Sequence, residues 1–239
     1  MSVPPLTNNY SGTNGVTIDT SNSAAGGNAF DSVGGGDVVT FSSTQFHSSP
    51  TSMRIITAAA NPSPNGGTWT GLGSITTDVY SRWYIFMPSL PADNNFYPLN
   101  FRTSADASSM IIRILADGSV SVRDSSNTGI ATIAGPVATG QWTRYETRHS
   151  TGAGTVELRY YASADSTVIT DTTTQVAVTF GANTDRVNLG TNTATSADGF
   201  TAYFDDFAVS TTVWLGPTSA AGPGDNPSMH LLGMSAGRW

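Results

Sequence analysis

Apolar and polar residues alternate with a period of two along much of this chain, and that alternation predicts its elements. Runs with strand character are Val38 to Phe41, Ser52 to Ile56, Val79 to Met87, Met110 to Leu115, Ser119 to Arg123 and Trp142 to Arg148. Thr155 to Tyr161, Gln175 to Phe180, Arg186 to Leu189 and Ala202 to Val209 continue the series. A period of two sends successive side chains to opposite faces of a sheet. Turn clusters such as Ala116-Asp117-Gly118, Thr151-Gly152-Ala153-Gly154 and Ser196-Ala197-Asp198-Gly199 punctuate the runs. No long stretch is apolar at i, i+3, i+4 and i+7, because Gly, Ser and Thr interrupt every helical pattern. Many short strands with regular turns predict an all-β, two-sheet antiparallel sandwich.

One hairpin is legible in detail. Between Trp142 and Arg148 the side chains of Arg144, Glu146 and Arg148 share a face, and between Thr155 and Tyr161 so do Glu157, Arg159 and Tyr161. The core side is then Tyr145 against Val156, Leu158 and Tyr160. A register with Glu146 opposite Arg159 and Arg148 opposite Glu157 makes two favourable cross-strand pairs, each worth about 0.2–1 kcal/mol. The expectation is a charged ladder on an exposed face.

Composition narrows the function. Charged residues are 11% of the 239, the net charge is −7, and the surface must be covered by Ser, Thr, Asn and Gly. An acidic chain without basic patches is a poor partner for nucleic acid or an anionic membrane. No apolar run approaches the ~20 residues of a bilayer-spanning helix. The absence of Cys rules out disulfides, thiolate catalysis and Cys-based zinc sites. All ten basic residues are Arg, and of the 17 acidic ones only Glu146 and Glu157 are Glu. The segment from Met1 to Leu6 lacks the basic and apolar regions of a secretory signal.

The organisation expected is an N-terminal arm over 1–9, a sandwich over 10–217 and a C-terminal arm over 218–239. The linker to Pro227 is rich in Gly, Pro and Ala. Beyond it Met229, Leu231, Leu232, Met234 and Trp239 form an apolar cluster that would bury itself in an assembly contact or against its own sandwich.

Several segments together resemble a known family. These are Asn9 to Gly15, Asn28 to Val33, Ser48 to Ile55, Gly140 to Glu146 and Tyr203 to Val209 running on to Trp214-Leu-Gly-Pro217. In order and spacing they resemble the concanavalin A-like (laminin-G-like) jelly-roll domains of actinobacterial and actinobacteriophage proteins, over about residues 8–217. The resemblance implies a jelly roll that works by glycan binding, adhesion or assembly. For a phage-type domain it implies a place on the virion surface, as a minor tail or capsid decoration component, with other virion subunits or further copies of itself as partners and a host-surface glycan as ligand. The alternatives are a bacterial carbohydrate-binding module and, from another class, a polysaccharide lyase or glycosidase. The family's glucanase signature, Glu-x-Asp-x-x-Glu, does not occur, and the lyase elements Gln-x-His and Tyr-x-Lys are missing. His47, His149 and His230 fall outside any triad-like spacing and read as solvated. No catalytic residue is therefore assigned.

Two candidate sites remain. Trp69, Tyr84, Tyr97 and Tyr161 offer rings for sugar stacking, and Arg102, Arg113 and Arg123 offer hydrogen-bond donors; aromatics also fill sandwich cores, as the Trp83, Ile85, Met87 face should. Asp205 shares the parity of Phe207 and Val209, which places a carboxylate on the core side. Such a group must be paired or ligate a metal. It either accepts backbone N–H bonds, pairs with Arg54 or ligates a metal. The resemblance implies that the metal is a structural calcium, held by Asp205 or Asp206 of the Asp-Asp step together with Asp31 of the Phe30-Asp31 step and carbonyl oxygens.

Overall fold

The computed structural model describes residues 4–34, 38–56, 66–92, 96–133, 137–192 and 201–218. Within them the chain forms two antiparallel sheets. The first is built from β1 (Leu6–Asn8), β3 (Val38–Ser42), β4 (Ser52–Ile56), β6 (Asp78–Phe86), β11 (Trp142–Ser150), β12 (Thr155–Tyr161), β13 (Asp171–Gln175) and β15 (Thr201–Ser210). Its order is β13-β12-β11-β6-β15-β4-β3, with β1 added along β15. The second contains β2 (Ser32–Val33), β5 (Gly67–Trp69), β7 (Phe96–Arg102), β8 (Ser108–Ile114), β9 (Val120–Arg123), β10 (Gly129–Ile133) and β14 (Arg186–Asn192). Its order is β10-β9-β8-β7-β14-β5-β2. This is the expected two-sheet sandwich.

Inward residues of both sheets meet in one core. Trp83, Ile85, Tyr145, Val156, Leu158 and Tyr160 come from the first sheet. Leu99, Phe101, Ile112, Val122, Val187 and Leu189 come from the second. Glu146 lies opposite Arg159 and Arg148 opposite Glu157, in the register that the charges favour.

The strands differ from the sequence reading in several places, and β2, β5 and β10 are absent from it altogether. Leu6 and Asn8 are buried and pair with β15, so the sandwich begins inside the expected N-terminal arm. The run Gln175 to Phe180 is not a strand; its neighbour Asp171–Gln175 is, held at the sheet edge by backbone pairing to β12 despite its polar sequence. Pro98 hides β7 from a propensity reading, and the strand absorbs it with a register shift between Phe96 and Leu99. The arm residues Met229, Leu231, Leu232, Met234 and Trp239, and His230, lie outside the described residues.

Candidate functional site

The outer face of the second sheet is written by alternation. Asn100 and Arg102 on β7 alternate with Leu99 and Phe101, and Arg186 and Asn188 on β14 with Val187 and Leu189. The register aligns these polar residues into rows. Ser32 faces Thr68, Thr68 faces Asn188, and Asn188 faces Asn100. The row continues from Asn100 to Ile111 and from Ile111 to Arg123. In the next row Arg186 stands directly opposite Arg102.

Like charges facing each other across strands repel. Here Asp106, in the turn after β7, lies between them. Its Oδ1 is 3.3 Å from Arg102 Nη1 and 3.2 Å from Arg186 Nη1. Asp106 has φ of 65°, a left-handed conformation that Asp adopts more readily than most residues. Arg186 Nη2 also donates to the carbonyl of Ser104. A cavity of about 210 Å³ opens on this face, lined by Ser32, Thr68, Arg102, Asp106, Arg186 and Asn188 among others. It is smaller than the roughly 300–1,000 Å³ pockets that take drug-sized apolar ligands.

Hydrogen-bonding capacity is left over here. The Oδ1 atoms of Asn100 and Asn188 and the Nε atoms of Arg102 and Arg186 are buried and meet no partner. Buried polar atoms are normally satisfied, so a cluster of exceptions needs an explanation. Of the residues expected in a sugar site, Tyr97, Arg102, Arg113 and Arg123 belong to the strands of this sheet. Arg113 sits over the Tyr97 ring at 5.5 Å, and Arg123 Nε donates to the carbonyl and side-chain oxygens of Asn127. Arg186, Asn188, Asn100 and Asp106 were not singled out, although the alternation around Val187 and Leu189 already turns Arg186 and Asn188 outward.

The stacking part of the expectation is corrected. Trp69, Tyr84, Tyr97 and Tyr161 are only 0%, 0%, 5% and 4% exposed, so none presents a ring face to solvent. Trp69 lies in the core between Phe30 and Phe207, with ring centroids 5.1 and 4.9 Å away. Tyr84 and Tyr161 belong to the first sheet, where His47 stacks on one at 4.2 Å and Arg144 covers the other at 3.8 Å.

The outer face of the first sheet is roofed by chain. Arg144 donates to the carbonyls of Ala164 and Ser166, and Arg82 to that of Gly216. Trp214 lies under Arg159 at 3.5 Å. The charged ladder is therefore not exposed: the side chains of Arg144 and Glu146 are 1% and 2% accessible. Its ion pairs also run along the strands rather than across them, Arg144 with Glu146 at 3.4 Å and Arg159 with Glu157 at 2.6 Å. His149 is buried too, against Phe101 and hydrogen-bonded to Thr184, and burial lowers its pKa to about 3. Neither His47 nor His149 is solvated, contrary to the sequence reading.

Asp205 and Asp206 occupy a bulge in β15, between the core residues Phe204 and Phe207. The bulge breaks the parity that placed Asp205 on the core side, and Asp205 stands opposite Tyr84 instead. Asp206 takes a φ of 48° to make the turn. Asp205 Oδ2 accepts the N–H groups of His47 and Ser48 at 2.7 and 3.3 Å, and Oδ1 accepts that of Asp206 at 2.9 Å. Asp206 Oδ1 accepts Ser48 Oγ–H; its Oδ2 lies 2.8 Å from His47 Nδ1 and accepts Thr218 Oγ1–H at 2.9 Å. Burial, and then the neighbouring Asp206 charge, push the Asp205 carboxyl well above the usual carboxylate range.

The donor set does not fit calcium. All four carboxylate oxygens face hydrogen-bond donors or an imidazole, and Arg54 is turned to Thr40. Asp31 is held elsewhere, its N–H on Thr68 and its carboxylate on the N–H of Thr70. Among the described residues no three His, Asp or Glu side chains gather as metal ligands. His47 Nε2 faces Asp165 at 3.0 Å, and Ser48 Oγ bonds Asp206 rather than the ring. The cluster ties loops to the sheet and holds no aligned nucleophile.

Within the described residues, fold and face together define a two-sheet antiparallel β-sandwich with an open, arginine-lined polar surface on its second sheet. No protein-family model matches the sequence, and no curated protein matches it. Solved structures do resemble it. "Cellulose induced protein, Cip1" matches with a TM-score of 0.57 at 20% identity, over 76% of this chain and 89% of that one. The binding domain of botulinum neurotoxin DC in complex with rat synaptotagmin II matches with a TM-score of 0.52 at 11% identity, over 73% of this chain. The same domain in complex with SialylT gives 0.52 at 11%, over 75%. This chain spans 42% of either toxin chain. At such identities the likeness is one of fold.

Proposed function

We propose that this protein is a non-catalytic carbohydrate-binding sandwich whose sugar site is the polar cavity on the outer face of the second sheet. The observation that carries the reading is the unpartnered Oδ1 of Asn188, a side chain more than nine-tenths buried at the cavity wall. Sugar hydroxyls are both donors and acceptors, and Asn, Arg, Thr and Ser side chains answer both roles. The cavity suits one hydroxylated ring better than an extended apolar ligand. The toxin domain solved with SialylT adds support from a protein of the same fold. The closed state of the His47, Asp205 and Asp206 cluster favours binding over chemistry.

The test is a split between stability and binding. Replacing Asn188 by an apolar residue of similar size removes a buried oxygen that has no hydrogen bond to lose. Asn188→Leu is expected to keep the melting temperature while weakening capture on an oligosaccharide array at least tenfold. Unchanged capture by a folded Asn188→Leu protein would move the site elsewhere.

On a larger scale, we propose that the sandwich is carried on a phage particle as an adhesion or decoration component, with 218–239 as its assembly arm, of which Thr218 itself is tied to Tyr84 and Asp206 of the sandwich. The support is the sequence resemblance and the apolar residues from Met229 to Trp239. Deleting 219–239 is expected to leave the sandwich folded and to reduce oligomers in native mass spectrometry. A truncated protein that assembles as before would remove the arm from the account.

A further inference from the structure

We infer that the sugar held in this cavity is acidic, and that Arg102 and Arg186 bind its carboxylate. The inference rests on the proposed glycan site and adds the chemical class of its ligand. Two guanidiniums facing each other on adjacent strands are an unfavourable pair in any sheet. They occur here in a chain with net charge −7, where arginines are scarce. A structural role would pair each with its own acid, as Arg144 and Arg159 are paired on the other sheet. Instead both share one carboxylate, Asp106 Oδ1. The lining therefore carries two positive charges against one negative.

Accessibility points the same way. The Nε atoms of Arg102 and Arg186 are buried without an acceptor, as those of Arg144 and Arg148 are on the first sheet, but the two side chains stay 28% and 32% accessible where Arg144 is 1%. Planar guanidinium N–H groups suit the planar, two-oxygen geometry of a carboxylate, which a point charge does not match as well. Asp106 is 52% exposed, so its hold on the pair is screened by water and an entering carboxylate can compete with it. Asn188 and Thr68, one row along, are left for the hydroxyls of the same ring. Arg113 and Arg123 on the neighbouring strands extend the cationic character of the face. A ring carboxylate is supplied by uronic acids and by sialic acids, and the two share the chemistry used here.

An array of oligosaccharides printed in pairs tests this. One member of each pair carries a uronic or a sialic carboxylate, and the other is the same sugar with that group reduced to the alcohol. Sulfated neutral sugars complete the set. The wild-type chain is expected to bind one acidic class at least tenfold better than its reduced partner, with affinity falling as salt rises. Whether the uronic or the sialic pairs respond identifies the source. Arg186→Gln and Arg102→Gln are expected to abolish the preference at unchanged melting temperature, while Arg159→Gln on the other sheet keeps it. Equal binding of acidic and reduced members overturns the acidic assignment and leaves the sugar site standing. Equal binding of sulfated sugars also overturns it, by showing a general anion site. Binding to no sugar overturns the glycan reading itself.

Discussion

Asp205 shows how one buried carboxylate can be held by backbone N–H groups. Its carboxylate is closed off from water and sits beside a second one, yet three backbone N–H groups converge on it. Losing those acceptors strands the donors, at about 1–3 kcal/mol for a buried group. Asp205→Ala is thus expected to destabilise by at least that much in denaturant unfolding. Asp205→Asn keeps one oxygen and removes a charge that burial opposes, so it should cost less; equal losses would mean that the charge itself is needed. A chelator is expected to leave the melting temperature unchanged, and a fall with EDTA would restore calcium to the account. His149 supplies the pH dependence. Its folded-state pKa of about 3 lies below the ordinary 6.5, so its contribution is complete above pH 6.5 and is lost as pH falls toward 3. The slope reaches about 1.4 kcal/mol per pH unit. The gap in melting temperature between wild type and His149→Gln is expected to narrow from pH 7 to pH 4, and parallel curves would contradict the burial argument.

At the scale of elements, β14 depends on a glycine that its alternating pattern does not announce. Gly190 has φ of 71°, and a Cβ there would lie 2.1 Å from Ile55 Cδ1 on the opposite sheet. Ile55 is itself buried in the core, so displacing it adds to the cost of the left-handed backbone. Gly190→Ala is expected to lower stability by at least about 1–2 kcal/mol, and an unchanged unfolding midpoint would show that the strand can relax. The β11–β12 hairpin was readable because its charges and its apolar face select the same register. What covers that hairpin was not readable. Loops around Ala164, Ser166 and Gly216 bury the Arg144–Glu146 face through long-range contacts that leave no local pattern. The bulge in β15 was hidden for a similar reason, since its one extra residue, between Asp205 and Ala208, shows only when β6 imposes its register. The candidate cavity was half readable: Arg102 follows from donor chemistry, whereas Arg186 and Asn188 matter only once β14 is placed beside β7.

Over the whole molecule the two outer faces have different fates. On the first sheet the charges are covered, with Arg144 and Glu146 at 1% and 2% accessibility, and they hold loops in place. On the second they remain open, with Arg102 at 28% and Arg186 at 32%. An acidic protein that keeps an open arginine pair on one face has a surface suited to attracting an anionic group locally, against its own net charge. Which face receives the sugar is the central claim, and side-chain N–H signals report on both at once. The decisive measurement is a nitrogen-15 NMR titration of the whole chain with an oligosaccharide selected on the array. The account expects shifts in the Nε–H signals of Arg102 and Arg186 and the side-chain amide of Asn188, with the indole N–H signals of Trp142 and Trp214 unmoved. Shifts confined to Trp142 and Trp214 would place binding on the first sheet and contradict it.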